Sequence, residues 1–96
     1  MRRNAIVIKQ EDNVATAIQK IQAGTMARVE VEGREMGVKV VQDVPFGHKL
    51  ALRHIGCGGA ILKYGTAIGR AKQDIRPGEH VHVHNVESMR GRGDLA

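Results

Sequence analysis

Aromatic residues are almost missing from this chain of 96 residues, which has no tryptophan and only one phenylalanine and one tyrosine, Phe46 and Tyr64. Proteins that bind single-stranded nucleic acid stack the bases on aromatic side chains, so this composition disfavours that class. The net charge of +5 comes from basic residues that are scattered among acidic ones rather than gathered on one helix. We therefore expect an anionic small molecule, such as a carboxylate or a sulfonate, rather than a nucleic acid partner.

Cysteine and long apolar runs are also scarce. Cys57 is the only cysteine, which excludes an intramolecular disulfide and fits a reducing compartment. No apolar segment has the length of a signal peptide or a membrane span, so we expect a cytoplasmic protein without a membrane partner. A domain of this size buries little core and forms shallow clefts, which predicts a working partner chain and leaves apolar surface that favours self-association.

The first half of the chain shows one strand, one helix and one hairpin. Residues 5–8 form a short apolar run typical of a buried strand. A helix is predicted next, with Asp12 or Asn13 as its N-cap and Gly24 at its C-cap. Its apolar face has the spacing i, i+3, i+4 and i+7 and consists of Val14, Ala17, Ile18 and Ile21. Residues 28–32 alternate with period two and residues 36–41 return after Gly33, which predicts a hairpin.

Beyond Val44 the chain breaks into short apolar runs at residues 50–52, 60–62 and 81–83, each bounded by glycine or proline. That frequency of glycine indicates tight corners between short strands. The expected fold is therefore mostly β, compact and irregular, with one helix in the N-terminal region. Residues 1–88 form the predicted domain, and residues 89–96, which are polar and glycine-rich, form a predicted flexible C-terminal tail.

A histidine ladder is the strongest chemical signal in the sequence. His80, His82 and His84 alternate with Val81 and Val83, so on a strand the histidines would share one face and the valines would point into the core. Neutral imidazoles placed in this way can bind a transition metal, for which His82 and His84 are the candidate ligands. The alternative is the polar outer face of a half-buried strand. Asn85, which follows the ladder, either orients a ligand or caps a turn.

Two further segments combine ionisable groups with glycine. His48 and Lys49 follow a corner formed by Pro45 and Gly47, which suits acid/base chemistry on an anion, although a solvated surface turn has the same pattern. Lys63 and Tyr64 precede Gly65, and this tyrosine is either a proton donor beside a lysine or an anchor in the core. The run of glycines around Cys57 lacks the context of a phosphate loop and is interpreted as a turn.

Three ordered segments resemble a known family: VPFGHKLAL at 44–52, ILKYGTAIGRA at 61–71 and DIRPGEHVHVHN at 74–85. They are similar to the SAF domain of altronate and galactarate dehydratases, which also occurs as a separate small subunit, including the alpha subunit of sulfolactate sulfo-lyase. The resemblance implies a β-clip fold of short, folded-over strands. It also implies a carbon–oxygen lyase (a hydro-lyase) that depends on Fe²⁺ or Mn²⁺ and shares its site with a large catalytic chain or domain.

On this sequence the resemblance implies His48 as the acid/base residue and Lys63 as a carboxylate clamp. Substrate contacts would also come from Lys49, Tyr64 and Asn85, and metal or substrate contacts from His82 and His84. Three functions stay open: the small subunit or N-terminal domain of a sugar-acid dehydratase, the alpha subunit of a sulfo-lyase, and a non-catalytic SAF module for carbohydrate binding or assembly. The concentration of histidine and lysine favours the first two.

Overall fold

The protein is described by a computed structural model that covers residues 3–88. The predicted tail at residues 89–96 lies outside the described residues. The described part contains nine strands, and they are β1 Ala5–Val7, β2 Val14–Ala17, β3 Met26–Val31, β4 Arg34–Lys39, β5 Lys49–Ala51, β6 Ala60–Lys63, β7 Thr66–Ala71, β8 His80–Val81 and β9 Val86–Ser88. The prediction of a mostly β fold is confirmed. This part of the chain holds no helix that is long and apolar enough to cross a membrane.

The strands form two sheets. Six strands pair in the order β4-β3-β1-β2-β5-β8, and three pair in the order β6-β7-β9. One core cluster lies under the first part of the larger sheet and includes Val29, Val40 and Leu50. The second cluster lies between the sheets and includes Ile61, Ile75 and Val81. The site described below is placed at the β5–β8 end of the larger sheet, where the smaller sheet approaches it.

The predicted helix at Val14–Ile21 is wrong, because its first four residues form β2. This strand pairs with β1 on one side, where Ala5 faces Ala17, and with β5 on the other, where Val14 faces Ala51. Two neighbouring strands satisfy the backbone groups that a helix would have paired internally, and a helix of two turns has little stability of its own. The helical spacing was misleading because Ala15, outside the proposed apolar face, is buried, whereas Ile18 within it is 37% exposed.

The predicted hairpin is confirmed, with strands β3 and β4 joined by Glu32 and Gly33. Both loop residues have positive φ, 48° and 83°, which is the conformation of the two-residue turns that match strand twist. The strands predicted at residues 5–8, 50–52 and 60–62 are β1, β5 and β6, shifted by a residue or so at their ends.

Gly78 has a structural reason to be glycine. Its φ is +84°, and a Cβ atom there would lie 1.9 Å from the backbone oxygen of Lys39. Its amide donates to the carbonyl of Ala51 and its own carbonyl accepts from the amide of Val41. These contacts fix the chain two residues before His80, so Gly78 sets where the histidine segment enters the sheet.

Candidate active site

His48, His80 and His82 meet at the β5–β8 end of the sheet, although 32 residues separate the first from the second. Strand β5 pairs with β8 so that Leu50 faces His80. The ring nitrogens His48 Nδ1 and His80 Nε2 lie 2.8 Å apart and share a hydrogen bond. The ring of His48 stacks on that of His82, with centroids 3.9 Å apart. One nitrogen from each of the three rings lies within 4.8 Å of the others.

The histidines do not form the single row predicted from their alternation. Strand β8 ends at Val81, and residues 82–85 form a turn. As a result Val81 is buried as expected, whereas Val83 is 71% exposed and does not point into the core. His84 is exposed, and its ring lies 5.1 Å from that of His80 at a tilt of 37°. The turn thus brings His82 to His48 and leaves His84 at the edge.

Asn85 holds this turn together. Its side chain is 1% exposed, accepts a hydrogen bond from the amide of His82 and donates one to the carbonyl of His80. Two interpretations of Asn85 were open, and these hydrogen bonds are those of a residue that caps a turn. The residue acts on the site by fixing the backbone on either side of Val81.

Lys49 stands beside the histidines and lines a cleft of about 220 Å³ with His82. The apolar walls of this cleft include Ile61, Val81 and Val86. Burial lowers the pKa of Lys49, and the nearby charge of Lys63 lowers it further. Lys49 therefore places an ammonium group at an apolar cleft, with the charge of Lys63 nearby, and an anion bound there gains energy from both charges.

Tyr64 and Lys63 lie at the tip of the β6–β7 hairpin. Tyr64 is 55% exposed, so it is not a core anchor. The ammonium nitrogen of Lys63 lies 4.9 Å from the centroid of its ring. Tyr64 has a φ of 59° and Gly65 a φ of 71°, which makes a tight two-residue turn.

Asp12 positions that hairpin, a role that sequence reasoning missed. Its carboxylate is 1% exposed and accepts hydrogen bonds from the amides of Tyr64 at 2.9 Å and Gly65 at 2.8 Å. The neighbouring Asn13 donates to the carbonyl of Ala60 and accepts from the amide of Leu62. An Asp-Asn pair before an apolar run indicates a cap or a turn, but the segment it binds, some fifty residues away, cannot be read from the sequence.

A cavity of about 370 Å³ lies elsewhere, near Val7, Arg34 and Leu52. None of the predicted site residues lines it. The histidine and lysine face gathers His48, Lys49 and His82 of the predicted residues, so it is the candidate site.

The sequence matches the family described as the altronate/galactarate dehydratase SAF domain over residues 3–89. The chain belongs to this family. It is 42% identical over 86 residues to altronate dehydratase of Bacillus subtilis and 43% identical over 83 residues to that of Escherichia coli, covering 90% and 86% of this chain. It is also 39% identical over 88 residues to the (2R)-sulfolactate sulfo-lyase subunit alpha of Chromohalobacter salexigens, covering 88% of this chain.

The SAF domain makes up a different share of each of these relatives. The match spans only 16% of the length of each altronate dehydratase but 94% of the sulfo-lyase subunit alpha. The same domain therefore occurs both as a small part of a long chain and as a subunit in its own right.

The histidine cluster makes the stability of the SAF domain depend on pH. Burial lowers the pKa of His80 and His82, and the neighbouring charges act in the same direction, chiefly His84 on His80 and His48 on His82. The ordinary pKa of histidine is 6.5. As the pH falls through this value, the histidines of the unfolded state take up protons before those of the folded state do. We therefore expect the free energy of unfolding to fall over this range and to level off below the folded pKa.

Urea unfolding in the presence of a chelator, at about pH 7.5 and about pH 5.5, measures this effect. His80→Gln should flatten the dependence, while replacement of the exposed His54, which lies outside the cluster, should not. An equal dependence in wild type and His80→Gln would contradict the assignment.

Proposed function

We propose that this SAF domain contributes residues to the active site of a carbon–oxygen lyase that removes water from a sugar acid of the altronate or galactarate class. The observation that carries the proposal is the gathering of three histidines and Lys49 on one face, next to an anion-attracting cleft. A non-catalytic module would not require that combination. The family and the names of the dehydratases at over 40% identity support the same activity.

The chemistry of β-elimination explains the residue types. A proton next to a carboxylate is weakly acidic, so its removal needs cations to stabilise the charge that develops on the carboxylate oxygens, and the departing hydroxide needs a proton. Lys49 supplies positive charge at the cleft, and Lys63 adds to it from nearby. His48 is the proposed proton-transfer group, because its ring is half-buried and in contact with two other imidazoles. The exposed Tyr64 lies beside Lys63 and is proposed to contact the substrate.

The donor atoms on this face also fit one of the two metals that the family implies. Imidazole nitrogen suits Fe²⁺, whereas Mn²⁺ prefers oxygen ligands, and among residues 3–88 the close group of donor side chains contains histidine only. We therefore propose Fe²⁺ rather than Mn²⁺ if this chain alone supplies the ligands. When bound, such an ion would stabilise the negative charge on the substrate carboxylate.

A large catalytic chain is the proposed partner, and the site face is where we expect it to dock. Phe46 and Val83, both 71% exposed, lie one or two residues from His48 and His82. Uncovered apolar side chains around a shallow, ionisable site are typical of a surface completed by another chain or domain. The cytoplasmic location expected from the sequence stays a prediction.

A sulfo-lyase is the second candidate function. Its support is specific, since the match to the Chromohalobacter subunit alpha spans 94% of the length of that subunit. The same face would serve either reaction, because both begin with removal of a proton next to a carboxylate and differ in the leaving group, water or sulfite.

Assembly provides the test of partner and function together. The SAF domain is co-expressed in place of subunit alpha with the remaining part of the Chromohalobacter sulfo-lyase, and the purified product is assayed on altronate, galactarate and (2R)-sulfolactate. We expect a stable complex. The double variant with Phe46→Ser and Val83→Ser should weaken it. Met26→Ser is the matched control, because Met26 is 60% exposed on β3, away from the site. Sulfite release would favour the second candidate, and failure to form a complex would contradict docking with this class of partner.

A further inference from the structure

The geometry points to His48, His80 and His82 as one three-histidine site for a divalent transition-metal ion, with His84 outside it. This inference rests on the proposed function for the task of the ion, but it assigns the ligands from this chain's own geometry. While an ion is bound, His48 acts as a ligand, so the proton-transfer role proposed for it above applies to the ion-free site. It differs from the sequence expectation, which paired His82 with His84.

The three donors converge from two parts of the chain. His48 precedes β5, His80 begins β8 and His82 follows it, and one nitrogen of each lies within 4.8 Å of the others. For bonds of ~2.1 Å, two nitrogens bound to the same ion lie about 3.0 Å apart at a right angle and about 3.4 Å apart at a tetrahedral angle. The 2.8 Å between His48 Nδ1 and His80 Nε2 is close to that spacing, so an ion could replace the shared proton after a small opening.

His82 has a free donor in the right place. Within residues 3–88 its ring nitrogens have no hydrogen-bond partner, and its ring lies against that of His48. The two rings are stacked within 18° of parallel, so the ring of His82 must rotate out of this stack for its nitrogen to point at an ion shared with the other two. A neutral imidazole without a partner is available to a metal at no cost in protein hydrogen bonds.

The backbone around the donors is held before any ion binds. Lys49 faces Val81 across β5 and β8, and the carbonyl of His48 accepts from the amide of Ala17 at 2.8 Å. Asn85 fixes the carbonyl of His80 and the amide of His82. Ligands on a fixed scaffold lose little conformational freedom on binding, which favours affinity.

The ligand set predicts the kind of ion. Three imidazoles and no carboxylate suit Fe²⁺, Co²⁺, Ni²⁺ or Zn²⁺ and disfavour Mg²⁺ and Ca²⁺, which take oxygen ligands. Because the cluster lies at the surface, an ion held by it keeps positions open toward the cleft beside Lys49.

Cobalt titration of the untagged chain tests the assignment, with Co²⁺ as the probe and its visible absorption and calorimetric heat as readouts. We expect stoichiometric binding that His48→Ala, His80→Ala and His82→Ala each weaken at least about tenfold, a loss of ~1.4 kcal/mol. The matched controls, His84→Ala and His54→Ala, should bind within about twofold of wild type. If the His82→Ala variant loses the β-sheet signal in circular dichroism, His82→Asn is used in its place, because it keeps a polar side chain in the turn.

Absence of Co²⁺ binding by folded wild type would overturn the inference, and so would a loss in His84→Ala as large as that in His48→Ala. Because binding is read on the isolated chain, its failure is distinguishable from failure of the proposed function, which is read as turnover in an assembled enzyme.

Discussion

Replacing His48 with alanine is expected to lower kcat of the assembled lyase by about 100-fold or more, with a smaller change in KM. The ring of His48 contacts those of His80 and His82, so its loss removes the proposed proton-transfer group and one of the three members of the cluster. The measurement uses a hybrid Bacillus altronate dehydratase in which the SAF domain replaces the matched segment. Dehydration of altronate is followed at saturating substrate.

His54→Ala in the same hybrid is the matched control. His54 is exposed and lies in the loop after β5, outside the described cluster, so its removal should leave kcat unchanged. If His48→Ala retained the turnover of the His54 control, proton transfer would have to come from another group. A loss confined to KM would instead make His48 a binding residue.

Replacing Asp12 with alanine is expected to destabilise the SAF domain by about 3 kcal/mol, because two partly buried N–H groups lose their acceptor and the buried space of the carboxylate is left unfilled. The carboxylate is 1% exposed and accepts from the amides of Tyr64 and Gly65, with a longer contact to that of Lys9. No other residue in the described part of the chain replaces it at the hairpin tip. Urea unfolding of the isolated chain measures the change in free energy.

Asp74→Ala is the control for Asp12, because Asp74 also accepts a turn amide, that of Cys57 at 2.8 Å, but is exposed. Water can satisfy the amide after that change, so we expect a loss of ~1 kcal/mol or less. Equal losses in the two variants would show that burial of the Asp12 carboxylate does not matter. In the hybrid enzyme, Asp12→Asn should loosen the hairpin that carries Lys63 and raise KM.

Much of the fold could be predicted because its signals are local. Period-two alternation identified β3 and β4, and Gly33 identified their turn. The helix at Val14–Ile21 was a wrong prediction for a physical reason: a strand buried on both faces has apolar residues at consecutive positions, and some of them fall at helical spacing by chance. Its partners, β1 and β5, decide the outcome, and strand pairing is not visible in a short window.

The site could be predicted in its residue types but not in its grouping. Alternation placed His80, His82 and His84 in one row, yet the chain turns after Val81, and Asn85 holds this turn. The exposed His84 still lies near His80 but outside the close group of donors. His48 joins the group only because β5 pairs with β8, a contact between segments about thirty residues apart. The predicted roles of Lys49 and Lys63 as substrate contacts stay predictions, although the two lysines do lie close enough for one to lower the pKa of the other.

The decisive measurement is the rate of altronate dehydration by the hybrid Bacillus enzyme with and without His48→Ala in the hybrid segment. We expect the unmodified hybrid to turn altronate over and the His48→Ala hybrid, folded and of the same oligomeric size, to lose that turnover. The proposed role of this domain is wrong if a folded hybrid has no turnover on altronate, galactarate or sulfolactate, or if the His48→Ala hybrid is as active as the unmodified one.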